Sequence, residues 1–214
     1  MSFIAIVLTV ILLIGLPSLI LKAYRKSLQG QALIRTGMSG TKVSFGGFFV
    51  FPIIHKLEAM DITVKTIMIN RMGKDGLVCK DNLRADIQVA FFVKVNKTVD
   101  DVKRVSESIG CRRASDQKAL EQLFDAKFSE ALKTVGKHFD FTELYNSRAL
   151  FNEKIQEEIG RDLNGYVLED CAIDHLETAS IKELDQNNIW DAEGIKKIIE
   201  ITSQEKMKAN LIKR

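Results

Sequence analysis

An uncharged, apolar run of 19 residues near the N-terminus constrains this chain more than any other feature. The run extends from Phe3 to Leu21, and its only polar side chains belong to Thr9 and Ser18. As an α-helix rising about 1.5 Å per residue it would span roughly 28 Å, close to the bilayer core of about 30 Å. We therefore predict a transmembrane helix in which Phe3, Leu12 and Leu21 contact lipid.

A cleaved signal peptide is the main alternative for this run, and a buried helix of a soluble domain is a further one. A signal peptide would have a basic residue before the apolar run and a small-x-small cleavage site. Met1 and Ser2 carry no basic side chain, and Leu21 is followed directly by Lys22. We therefore expect the anchor to be retained.

Basic residues flank the apolar run at one end only. Lys22, Arg25 and Lys26 follow it at once. The positive-inside rule places this flank, and with it the bulk of the chain, in the cytoplasm. The three cysteines are an odd number without paired spacing, as expected of reduced cytosolic thiols. The basic flank either serves orientation alone or also attracts anionic lipid, at about 1 kcal/mol per charge.

The order of predicted elements behind the anchor indicates an α+β domain. Residues 31–95 are rich in strand patterns, residues 98–163 have helical periodicity, and residues 166–176 return to a strand. The clearest strand covers residues 83–96, where Val89 lies on the apolar face and Gln88 on the polar face. We predict a mainly antiparallel sheet with helices packed on one face.

The aromatic segment from Phe48 to Ile54 allows two interpretations. Its continuous apolar character is typical of a strand that is buried on both faces. Alternatively, part of it enters the inner leaflet near the anchor, with Phe48, Phe49 and Phe51 in contact with lipid.

The last 24 residues, 191–214, form a predicted helix with apolar residues near its two ends. The segment is too short to establish a coiled coil from heptads alone. It ends without a capping signal, so we expect that the natural protein continues or that this chain is a fragment. We predict an assembly element separate from the compact domain, with oligomer contacts through Ile195, Ile198 and Ile199.

The sequence contains no recognisable catalytic motif. His55, His138 and His175 do not have metal-ligand spacing, and the glycine pair at residues 46–47 does not continue as a phosphate-binding loop. The net charge of +3 is too small to indicate nucleic-acid binding. We expect no catalytic, cofactor or metal site.

Taken together, the order and spacing of several short motifs resemble those of the SPFH (band 7) superfamily of stomatins, prohibitins and flotillins, and especially bacterial flotillin-like inner-membrane proteins. The resemblance covers residues 3 to about 200. The motifs that carry it are Gln31-Ala32, Arg35-Thr36-Gly37, Gly40-x-Lys42-Val43, Gly46-Gly47, Pro52-Ile53-x-His55, Lys80-Asp81-x-x-Arg84-x-Asp86, Val89-Ala90-Phe91-Phe92-Val93-x-Val95, Phe124-x-x-Lys127-Phe128-x-x-Ala131-Leu132, Leu168-Glu169 and Asp191-Ala192-Glu193-Gly194.

The resemblance implies an anchor with its basic flank over residues 1–26, an SPFH domain over 27–190 and the start of a long helix over 191–214. It also implies a non-enzymatic, homo-oligomeric scaffold in the bacterial inner membrane. Such a scaffold forms a ring or cage that organises a membrane microdomain. Two alternatives are a regulatory subunit that sequesters a membrane protease or another membrane partner, and a membrane-anchored enzyme. Flotillin-like proteins usually continue into a long Ala/Glu-rich coiled coil, and the sequence of this chain departs from that pattern because it ends within the predicted helix.

Overall fold

The computed structural model describes residues 23–38, 40–51, 53–160 and 162–213. The predicted transmembrane run, with its lipid contacts Phe3, Leu12 and Leu21, lies outside the described residues, as does Lys22. Across the described ranges, no helix has both the length and the apolar character needed to cross a bilayer. The chain forms two units, each built from three separate segments.

The first unit contains a three-stranded antiparallel sheet and a short two-stranded ribbon. In the sheet, β2 (Gln31–Gly37) lies between β3 (Gly40–Ser44) and β5 (His55–Asp61). In the ribbon, β1 (Tyr24–Lys26) pairs antiparallel with β4 (Gly47–Phe49).

Two helices complete the first unit, α1 (Val99–Ser108) and α2 (Cys111–Ser115). Thr98 caps α1, because its Oγ1 accepts a hydrogen bond from the Asp101 backbone N–H at 3.1 Å. Valines of α1 and aliphatic residues of the strands supply the buried core: Ala32, Leu33, Ile34, Met60, Val102 and Val105.

The second unit is organised around a long central strand, β8 (Arg84–Val95). On one side β8 pairs antiparallel with β6 (Lys65–Arg71) and with the short β7 (Leu77–Val78). On the other side β10 (Tyr166–Thr178) adds to β8, and β9 (Asp162–Leu163) adds to β10.

Three helices complete the second unit: α3 (Gln117–Gly136), α4 (Phe141–Asn146) and α5 (Arg148–Ile159). Phe128 stacks on Phe91 of β8, with ring centroids 4.4 Å apart. Gly136 allows α3 to approach β7 closely, since a Cβ there would lie 2.7 Å from the Leu77 side chain. A final helix, α6 (Ile189–Ile212), begins at the N-cap Asn188.

The α+β fold with antiparallel sheet pairing and packed helices is confirmed. The burial pattern of β8 follows the predicted alternation, with Val89 fully buried and Gln88 partly exposed. The helix predicted from residue 191 begins two residues earlier.

The interpretation of Phe48–Ile54 as a strand buried on both faces is wrong. Strand β4 ends at Phe49, and Phe51, Ile53 and Ile54 are exposed. The reason is that β4 is a three-residue strand with one partner, β1, so the described residues between Phe49 and the start of β5 at His55 lie in no sheet.

Two tight turns interrupt the predicted pattern of elements. The strand-rich region 31–95 is interrupted after Asp61, whose Oδ1 accepts hydrogen bonds from the Thr63 N–H and hydroxyl at 2.9 and 2.6 Å. Asn164 and Gly165, which follow the region of helical periodicity, connect β9 to β10 with φ angles of 59° and 97°. Positive φ at both positions is typical of a tight hairpin turn.

Candidate membrane-facing and helix-anchoring sites

The β1–β4 ribbon brings part of the predicted membrane flank against the aromatic segment. Arg25 lies opposite Phe48, and Tyr24 lies opposite Phe49. The Tyr24 and Phe49 rings are 5.0 Å apart between centroids. Neighbouring strands are about 4.8 Å apart. The ribbon therefore places Phe48 and Phe49 immediately beside residues that follow the predicted span.

Arg35 of β2 fixes β4 through two contacts. Its guanidinium carbon lies 4.9 Å from the centroid of the Phe48 ring, and Nη1 donates a hydrogen bond to the Phe49 carbonyl at 2.8 Å. A cation over an aromatic face is attracted by the ring quadrupole. Arg35 thus orients the Phe48 ring and holds the backbone of the next residue.

The segment after β4 exposes several large apolar side chains. Phe49 is 50% exposed, Phe51 is 47% exposed and Ile53 is 97% exposed. Adjacent exposed apolar side chains are typical of interaction or membrane surfaces rather than of ordinary solvent-facing loops. We call Phe48, Phe49, Phe51, Ile53 and Ile54 the aromatic edge.

A second site anchors α6 at its N-terminal end. Asp191, in the first turn of the helix, accepts hydrogen bonds from Arg84 Nη2 at 2.7 Å and Nε at 3.1 Å. Both side chains are largely buried, with 13% of Arg84 and 6% of Asp191 exposed. The Asp191 Oδ2 also accepts the backbone N–H of Asp185 at 3.2 Å. The carboxylate therefore joins β8, the loop before α6 and the helix itself.

Polar contacts to the turn before β8 extend this anchor by one helical turn. Lys197 Nζ lies 3.0 Å from Asp81 Oδ2, and Asn82 Nδ2 donates to Glu193 Oε2 at 2.9 Å. Gly194 permits the approach, because a Cβ there would lie only 2.6 Å from the Asn82 carbonyl oxygen. We call this set of contacts the helix anchor.

The helix anchor corrects one sequence-based prediction. The first turns of α6 dock on the second unit, so the helix is not separate from the domain at its N-terminal end. Beyond the anchor the side chains are exposed from Ile199 to Lys213. Of the predicted oligomer contacts, Ile195 and Ile198 are half-buried and Ile199 is 53% exposed.

The helix anchor was missed because its residues are far apart in the sequence. Arg84 and Asp191 both belong to motifs noted in the sequence, but no periodicity relates positions separated by 107 residues. Gly194 was the available signal, since a glycine inside a helix often marks a close backbone approach.

The three cysteines are buried thiols. Burial raises the pKa of Cys79 to about 12 and the pKa of both Cys111 and Cys171 to about 11. A thiol must lose its proton to act as a nucleophile, so these environments disfavour thiolate chemistry near neutral pH. Within the described ranges, no three His, Cys, Asp or Glu side chains are grouped as metal ligands.

The two-unit α+β architecture, with antiparallel sheets and packed helices, is that of an SPFH-type domain. The chain belongs to the SPFH domain / Band 7 family, whose family model matches residues 26–202. This confirms the resemblance that the sequence motifs indicated.

Two curated relatives carry the flotillin name. The chain is 31% identical over 196 residues to the flotillin family inner membrane protein YqiK of Escherichia coli (strain K12), covering 90% of this chain and 35% of that protein. It is 23% identical over 193 residues to the flotillin family inner membrane protein sll1021 of Synechocystis sp., covering 86% of this chain and 28% of that protein. The chain thus spans about a third of the length of these relatives.

Proposed function

We propose that this chain is the membrane-anchored, membrane-facing portion of a homo-oligomeric scaffold of the flotillin type. The scaffold organises a patch of the bacterial inner membrane and the proteins that reside in it. It has no catalytic role and needs no cofactor. The observation that carries the proposal is the β1–β4 ribbon, which sets aromatic side chains beside the basic flank of the predicted anchor.

In this proposal the anchor crosses the membrane once and the aromatic edge rests in the inner leaflet. The membrane contacts are Phe3, Leu12, Leu21, Lys22, Arg25, Lys26, Phe48, Phe49 and Phe51. Burial of apolar area contributes about 25 cal/mol per Å², and each basic residue near an anionic surface adds about 1 kcal/mol. The names of both relatives include the words inner membrane protein, which supports this location.

Assembly in this proposal uses the part of α6 beyond the helix anchor. Ile199 is exposed, as are Ile201 and Met207 further along the helix. An isolated helix of this length is marginal in water, so a neighbouring subunit is the natural partner for these side chains. Repeated contacts of one kind between neighbouring subunits close into a ring or cage.

The test is the assembly mass of the full-length protein in mild detergent. Ile199→Asp should reduce the high-mass assembly, whereas Gln204→Asp, an equal change of charge at an exposed position on another face of α6, should leave it intact. Ile195→Asp and Ile198→Asp extend the test to the half-buried contacts, with the melting temperature measured in parallel. A monomeric wild-type protein would refute the scaffold. Stoichiometric co-purification of a membrane protease would instead select the regulatory-subunit alternative.

A further inference from the structure

A basic cleft of about 670 Å³ lies in the second unit, beside the helix anchor. Its volume falls within the range of small-molecule sites, about 300–1,000 Å³. The cleft is lined from three directions, by the end of β6, by the β7–β8 hairpin with the 3₁₀ turn before it, and by the C-terminal part of α3. The charged lining residues are Arg71, Lys74, Asp75, Arg84, Glu130, Lys133 and Lys137.

Two guanidinium groups line the cleft, those of Arg71 and Arg84. Arg71 is held by Ser129 and by Asp125 at 3.2 Å. Lys74, Lys133 and Lys137 form no ion pair within the described ranges, and two lining carboxylates offset part of their charge. The cleft therefore attracts anions, but a strong bidentate contact needs a guanidinium.

Arg84 is shared between the cleft and the helix anchor. Its Nη1 donates to the carbonyls of Lys74 and Gly76, both of which line the cleft, while Nη2 and Nε hold Asp191. The only buried residues of α6 are Asp191 and Gly194. Ile195 and Ile198 add half-buried apolar side chains, and the buried carboxylate of Asp191 fixes the base of the helix through its polar contacts.

We propose that the cleft binds a phosphate-bearing ligand that competes with Asp191 for Arg84 and so loosens the base of α6. A phosphate offers the planar guanidinium a bidentate partner, and lysines bind phosphate as point charges. Lys133 and Lys137 attract the ligand. When the ligand binds Arg84, the contact between Arg84 and Asp191 weakens, and the base of α6 is held less firmly. This regulation does not depend on the scaffold function.

The experiment measures amide hydrogen exchange over residues 189–199 in the full chain, reconstituted in neutral-lipid nanodiscs. Inorganic pyrophosphate should accelerate this exchange at least tenfold, at an ionic strength where sodium chloride changes it less than twofold. Glycerol 3-phosphate, which carries the phosphomonoester of a lipid headgroup, is the second probe. Whichever probe acts at the lower concentration assigns the source to a soluble diphosphate or to a lipid.

Matched variants separate a site from a general charge effect. Lys133→Gln with Lys137→Gln should abolish the pyrophosphate effect and leave basal exchange unchanged. Lys118→Gln with Lys127→Gln removes the same charge from elsewhere on α3 and should retain the effect. Three results would overturn the proposal. They are equal acceleration by pyrophosphate and sodium chloride, no acceleration by either phosphate compound, and the same response in both double variants.

Discussion

Arg84 and Asp191 lie 107 positions apart in the sequence, yet two nitrogens of the arginine donate to one carboxylate oxygen of the aspartate. This pair attaches the C-terminal helix to the central strand of the second unit. Removing one partner of a buried ion pair leaves the other charge desolvated, which is more costly than removing both.

Asp191→Asn should therefore destabilise the second unit by about 3 kcal/mol. The double variant Arg84→Met with Asp191→Leu should recover a large part of this loss, because neither charge is then buried alone. Denaturant unfolding of the full chain in detergent measures both values. A double variant no more stable than Asp191→Asn would contradict this account of the pair.

Gly194→Ala should lower stability although alanine favours a helix interior by about 1 kcal/mol. The added Cβ would lie 2.6 Å from the Asn82 carbonyl oxygen, so the helix base must shift. Ser203→Ala improves helix propensity at an exposed position and serves as the control. The two melting temperatures should move in opposite directions, and a rise for both would mean that the close approach is not maintained in solution.

Val89→Asp should unfold the second unit, because Val89 is fully buried on β8 and an unpaired carboxylate there costs several kcal/mol. Gln88→Asp should cost less than about 1 kcal/mol. The Gln88 side chain donates a hydrogen bond to Asp174 at 3.1 Å. The small cost of Gln88→Asp arises because the variant loses this bond and places two carboxylates side by side. Thermal unfolding compares the two, and equal losses would place both faces of β8 in the core.

The aromatic edge can be located with lipid quenching, since Trp190 is the only tryptophan in the chain. In a Trp190→Phe background, Phe51→Trp should be strongly quenched by brominated lipids in nanodiscs. Met207→Trp, on the exposed part of α6, is the comparison and should be quenched much less. Weak quenching at position 51 would place the aromatic edge outside the leaflet.

Alkaline pH should destabilise the protein through Cys79. Burial is the largest cause that raises the pKa of this thiol from 9.0 to about 12, so between these values the unfolded chain loses a proton that the folded chain keeps. The free energy of unfolding therefore falls as pH rises above 9, by about 1.4 kcal/mol per pH unit for this group. In Cys79→Ala the free energy of unfolding should fall less steeply between pH 9 and 11, by the slope that corresponds to one proton. Identical slopes would show that this thiol does not contribute.

Sequence periodicity predicted the parts of the fold where the burial of a strand can be inferred from the alternation of its own residues. The alternation along β8 assigned Val89 to the core because burial on one face repeats every second residue. The segment after Phe48 could not be assigned in this way. An apolar run has the same appearance whether partner strands or lipids cover it, and the partner of β4 is the three-residue strand β1 near the start of the described chain.

The helix anchor lies beyond sequence reasoning for a different reason. Its ion pairs join positions more than 100 residues apart, and each member taken alone resembles an ordinary surface charge. Asn164-Gly165, in contrast, carried a readable hairpin signal, which the helical pattern before it obscured.

Because α6 is held only at its base, it acts mechanically as a lever arm. From Lys197 to Ile212 the helix extends about 22 Å at 1.5 Å per residue. A rotation of about 10° at the base therefore displaces the far end by roughly 4 Å, close to the width of a methyl group. The angular stiffness of a few polar contacts near Asn82 thus sets the positional tolerance at the other end of the helix.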